Sequence, residues 1–319
     1  MAAQYVVGID VGGQTTKIGV VDARGDILAQ TVIRTDTYSE VEKYIAEVGE
    51  AVRKVISEAG VEGNVRGIGV GAPNANYYTG NIENAVNLKW SGNKTIEFSK
   101  LLSTEMGGLP VALTNDANAA AVGEMTYGAA KGMKNFIMIT LGTGVGSGIV
   151  IGGKVVYGHD GFAGELGHVA AVRNNGRTCN CGKTGCLETY ASAIGVARTA
   201  REWLELSDEP SLLRNVDNIS SKDVYEAAKE GDALALRIFE FTGRMLGQCF
   251  ADFVAFSAPE AIVLFGGLAR SKEFLTQPIL DSMNKNLLAI WKNKVKLIYS
   301  SLKESDAAIL GASALAWEL

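Results

Sequence analysis

Hydrophobic positions along the chain repeat with two different periods. Short apolar runs bounded by glycine or an acid read as strands over 5–10, 18–21, 27–33, 65–70 and 111–114. Residues 39–59 read instead as an amphipathic helix, because Val41, Tyr44, Ile45, Val48, Val52, Val55 and Ile56 recur at helical spacing. Ser39 and Glu42 have the spacing of a capping box, and Gly60 is placed to stop the helix. A helix is expected over 96–106, and Asn115-Asp116 opens an alanine-rich one. At Phe136 the same grammar restarts: an apolar run over 136–141, a glycine-rich turn over 142–148, and strands over 149–151 and 155–157. Strand, glycine turn, strand, turn, strand therefore occurs twice, a pattern of two related lobes. Further on, helices are expected over 191–206, 222–230, 232–256 and 307–317, with strand runs at 261–265 and 295–299. Strands alternating with helices make an α/β architecture.

Composition narrows the class of protein. Apolar residues make up 47% and charged residues 20% of the 319, which excludes wholesale disorder. No apolar stretch approaches the ~18 uninterrupted residues of a membrane span. The net charge of -5 argues against a dedicated nucleic-acid surface, yet allows an anionic substrate held by backbone amides. The first residues, Met-Ala-Ala-Gln, carry no basic and apolar leader pattern, so a cytoplasmic protein is expected. Three of the four cysteines lie together, unlike a secreted disulfide framework. Glycine is over-represented, with 38 residues gathered at strand ends, where the backbone turns sharply or approaches a ligand.

Those glycine turns carry the first candidate chemistry. Backbone amides can surround a phosphate only where side chains do not block the approach. Gly12-Gly13, Gly142-Thr143-Gly144 and Gly266-Gly267 offer such turns, and tight hairpins alone would also use them. None matches the P-loop or the G-x-G-x-x-G that opens a helix. Asp10, beside the first turn, reads either as a turn acid or as the residue that orients a hydrated Mg2+ on nucleotide phosphates. Lys17 reads as a phosphate neutraliser or an exposed strand lysine. Asp116 sits where a strand becomes a helix: an N-cap aspartate, or a general base taking the proton of a sugar hydroxyl. Asn115 would then hold a neighbouring hydroxyl.

Cys179-x-Cys181-x4-Cys186 is the sharpest local pattern. With His168, one of only two histidines, it forms a three-Cys, one-His set suited to a closed tetrahedral zinc site, against free thiols or a local disulfide. Cys249, in an apolar helix, reads as core. Such a metal would fix the nearby carboxylates Glu165 and Glu188, which are otherwise ordinary solvated acids.

In order along the chain, Asp10-Val-Gly-Gly, Asn115-Asp116-Ala-Asn-Ala-Ala, Leu141-Gly-Thr-Gly-Val-Gly-Ser-Gly, Glu165-Leu-Gly-His168 and Cys179-Asn-Cys-Gly-Lys-Thr-Gly-Cys186-Leu-Glu188 resemble the ROK family of sugar kinases and repressors, and most of all its glucokinases. The resemblance implies the two-lobed actin/hexokinase/Hsp70-like (ribonuclease H-like) ATPase fold with a central interlobe cleft, the first lobe being 1–117 plus 303–319 and the second 118–302. It implies ATP with Mg2+ and structural Zn2+, and phosphoryl transfer to a hexose in glycolysis or related carbohydrate metabolism. No nucleic-acid or membrane partner is implied, and homodimers are common among relatives. Asp116 corresponds to the catalytic base, and Asn87, Asn115, Asp116, Glu165, His168 and Glu188 to the sugar-binding set. Asp10, Gly12, Gly13, Gln14, Thr15, Lys17, Gly142, Thr143, Gly144, Gly266 and Gly267 correspond to the phosphate and adenosine elements. His168 would turn one ring nitrogen to zinc and the other to the sugar.

Two departures bear on substrate. Gln14 occupies the family's threonine position, leaving Thr15 or Thr16 to supply a hydroxyl. Gly71-Ala-Pro-Asn74 replaces the usual Pro-Gly-Pro form at the edge of the sugar pocket. N-acetylmannosamine, N-acetylglucosamine, fructose and allose are the alternative substrates. A sugar-responsive repressor, which needs a DNA-binding helix-turn-helix, and a sugar-independent ATPase are the alternative activities.

Overall fold

The computed structural model describes residues 4–92 and 94–319; residues 1–3, on which the expected cytoplasmic location partly rests, lie outside the described residues. The first part of the chain forms β1 (Tyr5–Val11), β2 (Thr15–Asp22), β3 (Ile27–Arg34), α1 (Val41–Ala59), β4 (Val65–Gly71), the short strands β5 (Ala75–Asn76), β6 (Asn81–Glu83) and β7 (Thr95–Ile96), then α2 (Phe98–Glu105), β8 (Val111–Thr114) and α3 (Asp116–Thr126). The remainder forms β9 (Phe136–Leu141), β10 (Val145–Ile151), β11 (Lys154–Val155), α4 (Glu188–Ala191), α5 (Ala193–Leu206), α6 (Ser221–Lys229), α7 (Ala233–Ser257), β12 (Ala261–Phe265), α8 (Lys272–Asn286), β13 (Lys296–Tyr299) and α9 (Glu304–Leu315).

The repeated grammar becomes a repeated topology. One sheet has the order β3-β2-β1-β4-β8 and the other β11-β10-β9-β12-β13. In the first, β2 is antiparallel to β1 and β3, while β4 is parallel to β1 and β8. In the second, β11 is antiparallel to β10, and β12 is parallel to β9 and β13. Each sheet thus joins a glycine hairpin to parallel strands reached through helical crossovers.

The chain packs as two compact units: Met1–Met133 with Gly148–Gly164 and Ser301–Leu319, and Lys134–Ser147 with Glu165–Ser300. The expected division, 1–117 plus 303–319 against 118–302, differs in three stretches, since 118–133, 148–164 and 301–302 group with the first unit. Helix α3 explains the first stretch. It crosses α9 so closely that a Cβ on Gly123 would lie 2.7 Å from the Gly311 Cα. An alanine-rich helix shows no preference for either neighbour in its sequence pattern.

In the first unit, β1 is buried on both faces. Val7, Ile9 and Val11 join Tyr44, Ile45, Val48, Val52 and Val55 of α1 in one core, while Val6 packs with Ile309 and Leu310 of α9. Alternation across the strand directs neighbours to opposite sides. Gly8 and Gly69 admit α9 at close range, because a Cβ at either would sit about 2 Å from the carbonyls of Ile309 and Ala312.

Several local expectations are corrected. The capping box at Ser39 and Glu42 is absent: α1 starts at Val41 after an extended Glu40, with no side-chain cap bond. Gly60 does end it, with φ 65°. The helix expected over 191–206 is α5, which starts after Ser192, whose side chain caps it by accepting from the Gly195 N–H; the single turn α4 before it was not expected. Helix α8 was not expected, since Pro278 lies inside it and its pattern is weakly amphipathic. It forms because α7 offers Gly243 and Gly247, against which Pro278, Ile279 and Ser282 approach closer than a Cβ would permit. Strands β2 and β10 begin earlier than 18 and 149, so both glycine turns are tighter than read from sequence.

Candidate functional site

In the first unit, the hairpin between β1 and β2 closes with the Gly12 N–H donating to the Thr15 carbonyl at 3.0 Å. Gly13 lies against Asn87, and a Cβ there would be 3.1 Å from the Asn87 carbonyl oxygen. The phosphate-type turn and one sequence-predicted sugar residue are therefore neighbours. Asp10 lies opposite Lys17 in the antiparallel ladder and beside Gly71 in the parallel one. Burial raises the Asp10 carboxyl to about 6, the Asp116 charge adds to the rise, and Lys17 opposes it.

Asn115, not Asp116, caps α3: its side chain accepts from the Asn118 N–H at 2.7 Å. The Asp116 carboxylate accepts from the adjacent Ala117 N–H at 2.8 Å. Solvent reaches the side chain, yet surrounding protein pushes its pKa up, with backbone N–H groups of Ala117 and Asp116 opposing. The carboxylate is open on one side and crowded on the others. Gly71 makes room for it, the nearest backbone to a Cβ there being the Asp116 Cα at 3.7 Å.

Thr16 is not the hydroxyl that replaces the family threonine. It is fully buried, and its Oγ1 lies 2.7 Å from Thr35 Oγ1 and 2.6 Å from the Tyr44 hydroxyl. Thr15 is half-buried and Gln14 exposed. Asn74 has φ 52°, and its side-chain amide donates to the carbonyls of Glu83 and Asn84. Asparagine tolerates that left-handed conformation and locks the turn, which accounts for the departure from Pro-Gly-Pro.

In the second unit, the turn Gly142-Thr143-Gly144 closes with the Gly142 N–H donating to the Gly144 carbonyl at 3.1 Å. Gly266, at φ 101°, approaches Leu141 where a Cβ would be 2.6 Å from its carbonyl oxygen. The two glycine elements thus meet at the end of β9. Glu188 touches the same turn. Its Oε2 accepts from the Val145 N–H at 3.3 Å and lies 2.6 Å from where a Gly144 Cβ would be. Its Oε1 is 3.1 Å from Cys179 Sγ and 3.8 Å from His168 Nδ1. One carboxylate therefore spans the glycine turn and the cysteine cluster.

His168, Cys179, Cys181 and Cys186 present ligand atoms all within 4.8 Å of one another. Cys181 and Cys186 Sγ are 3.6 Å apart, and Cys179 Sγ is 3.7 Å from His168 Nδ1. Zinc–sulfur bonds of ~2.3 Å in a tetrahedron separate two sulfurs by ~3.8 Å, close to the spacing of both these pairs, so the donor set suits such an ion. All four cysteines are free thiols, which sets aside the local disulfide. Burial pushes the Cys179 thiol up to about 12. A divalent cation reverses that, because it holds the thiolate. The loop is braced by the Cys179 N–H to the Lys183 carbonyl, and the Val172 N–H to the Gly185 carbonyl. Gly185, at φ 77°, would place a Cβ 1.8 Å from the Val172 oxygen. Gly167 likewise lets the Glu165-Leu-Gly-His168 turn rest on the Val145 carbonyl. Glu165 is exposed at the entry of that turn.

Sequence reasoning missed Arg177, whose side chain fixes this loop, and Ser147, whose hydroxyl accepts from the Leu166 N–H at 3.0 Å. Nothing in their spacing marks them. Cys249 is buried in the core around α7, as its apolar surroundings implied. Among the described residues no helix is long and apolar enough to cross a membrane.

A glucokinase of Halalkalibacterium halodurans is 39% identical over 98% of this chain and 94% of its own length. One of Streptomyces coelicolor is 33% identical over 98% and 97%. A xylose repressor of Caldicellulosiruptor bescii is 26% identical, matching 97% of this chain but 77% of its own. Among solved structures, the ROK hexokinase of Thermus thermophilus superposes with a TM-score of 0.83 at 30% identity, covering 98% of both chains. A Streptomyces griseus ROK glucokinase in complex with glucose and AMPPNP gives 0.78 at 32%, covering 99% and 100%. The fold is accordingly the two-lobed, actin- and hexokinase-like α/β fold of these kinases. The ROK family model matches residues 6–318, and with the glucokinase identities it follows that the chain belongs to the ROK family.

Proposed function

We propose that this chain is an ATP-dependent sugar kinase that converts glucose to glucose 6-phosphate. The observation that carries the reading is Asp116: a carboxylate relieved of capping by Asn115, open to solvent, and raised in pKa by its surroundings. A hydroxyl is a poor nucleophile until its proton has an acceptor. The 6-hydroxyl oxygen bonds to the γ-phosphorus, and the bond to the β,γ-bridging oxygen breaks. ADP leaves with that electron pair, and the hydroxyl proton passes to Asp116. The glucokinase identities of 33–39% over nearly the whole chain support glucose as substrate.

The roles follow from the chemistry of each group. Asn87, Asn115, Glu165, His168 and Glu188 bind sugar hydroxyls. Main-chain amides of the two glycine turns, with Lys17, Gln14 and Thr15, bind phosphates. Gly266 and Gly267 admit the nucleotide. Asp10 would hold Mg2+, which would neutralise phosphate charge there. His168, Cys179, Cys181 and Cys186 hold one zinc ion, which supplies rigidity rather than reactivity. Because Nδ1 of His168 faces the thiols, Nε2 is left for the sugar, coupling metal and substrate.

A coupled ATP assay over a panel of hexoses tests the reading. Glucose should give the highest kcat/KM, and a preference for N-acetylmannosamine, N-acetylglucosamine, fructose or allose would reassign the substrate. Sugar-independent ATP hydrolysis at full rate would point to an ATPase, and a specific shift of promoter DNA to a repressor.

A further inference from the structure

Arg177 uses every donor it has. Its Nε donates to Glu202 Oε2 at 3.0 Å, Nη1 to the Thr189 carbonyl at 2.7 Å and the Gly195 carbonyl at 3.4 Å, and Nη2 to Thr199 Oγ1 at 2.9 Å and again to Glu202. Five guanidinium N–H groups meet four acceptor groups, the full capacity of the side chain. The guanidinium also lies 4.6 Å from the centre of the Tyr190 ring, and only 9% of the side chain is exposed. Its own backbone is held as firmly. The N–H donates to the Tyr190 hydroxyl at 2.8 Å, and the carbonyl accepts from the Gly185 N–H at 2.8 Å.

These contacts tie three pieces together. Arg177 precedes Cys179 in the metal loop, Gly185 precedes Cys186 at its other end, and Thr189 follows Glu188 at the start of α4. Helix α4 has a single turn, so its carbonyls have few intrahelical donors, and it cannot hold its own orientation. Arg177 supplies one donor from outside, to the Thr189 carbonyl, and ties α4 to α5 through Gly195, Thr199 and Glu202. Lysine, with one compact ammonium, cannot reproduce the planar fork.

We propose that Arg177 is a positioning residue that fixes the Glu188 carboxylate against the cysteine loop, and so sets both sugar affinity and the rate of metal release. The sugar half rests on the kinase reading; the metal half does not. Arg198 is the natural control, because it shares Glu202 yet donates neither to α4 nor to Thr199 among the described residues, its other hydrogen bond being a long one of 3.4 Å to the Thr178 carbonyl.

The experiment compares Arg177→Lys and Arg177→Gln with Arg198→Gln in zinc-loaded full-length protein. It reads thermal melting, zinc release to a chromophoric chelator, and KM for glucose and for ATP separately. Loss of such outer partners costs about 10- to 100-fold in affinity or activity. Arg177→Lys should accordingly raise glucose KM and speed zinc release by about tenfold each, with ATP KM unchanged and Arg198→Gln like the parent. Folded Arg177 variants with parental zinc release and glucose KM overturn the proposal, as does an equal rise in ATP KM, which signals general loosening. A parent that binds no zinc also overturns it. If both Arg177 variants fail to fold, Thr199→Val, which removes one acceptor, carries the same comparison. A parent that phosphorylates no hexose sinks the kinase reading, and zinc release alone then decides the role of Arg177.

Discussion

Replacing Asp116 with asparagine removes one charge, preserves the shape, and should separate activity from stability in opposite directions. Asp10 is raised from an ordinary 3.8 to about 6, first by burial and second by the Asp116 charge. Holding Asp10 ionised in the folded state therefore costs ~3 kcal/mol above pH 6. The sign follows from proton binding. Between pH 4 and pH 6 the folded chain holds a proton that the unfolded chain has released. Stability from this group is present below the unfolded value and lost as pH rises through the folded one. In Asp116→Asn the second cause vanishes, so Asp10 falls toward 3.8 but remains above it, because burial is the larger cause. The gain is ~1 kcal/mol at pH 8 and near zero at pH 4, or roughly 2 °C in Tm at the higher pH. The raised pKa of Asp116 itself adds in the same sense. Loss of the base should meanwhile lower kcat by about 10²- to 10⁴-fold. Melting curves at pH 4 and pH 8, with a coupled ADP assay, read both effects. Near-normal turnover refutes Asp116 as the base. A Tm at pH 8 that is unchanged or lower refutes the electrostatic account.

Cys181→Ser should reduce bound zinc from one equivalent per chain to a fraction and lower the melting temperature, since ligand binding and loop folding are one event; full zinc by elemental analysis would contradict the four-ligand set. Gly144→Ala puts a Cβ 2.6 Å from Glu188 Oε2, so the carboxylate must shift. Misplacement of that size costs up to ~10²-fold in kcat/KM, and unchanged glucose kinetics would show that Glu188 has no positional role. Thr16→Val strips the shared partner from Thr35 and Tyr44, which should cost about 1–3 kcal/mol in denaturant midpoint while leaving ATP KM intact. A raised ATP KM at unchanged stability would instead return Thr16 to the phosphate site.

What could be read from residue order was whatever short-range geometry enforces. The two strand–glycine–strand rounds were legible because alternation and turn chemistry act over a few residues, and the structure gives both rounds the same strand order. The cysteine loop was legible because three thiols and a histidine rarely gather without a shared purpose, and their ligand atoms do converge. Asp116 could be narrowed only to cap or base, since both need an acid at a strand-to-helix junction. The structure gives the cap to Asn115, whose side chain accepts from the Asn118 N–H, and so leaves the Asp116 carboxylate out of that role. Contacts between distant segments decided the rest. Helix α8 exists because Gly243 and Gly247 let a proline-bearing segment lie flat on α7. Thr16 is withdrawn from any ligand by Thr35 and Tyr44, which approach from other elements. Arg177 owes its role to Thr189, Gly195, Thr199 and Glu202, and no period along the chain connects them to it. Local patterns report a segment's own backbone preferences, whereas the partner that satisfies a buried donor or fills a glycine's missing side chain is chosen only when remote parts of the chain meet.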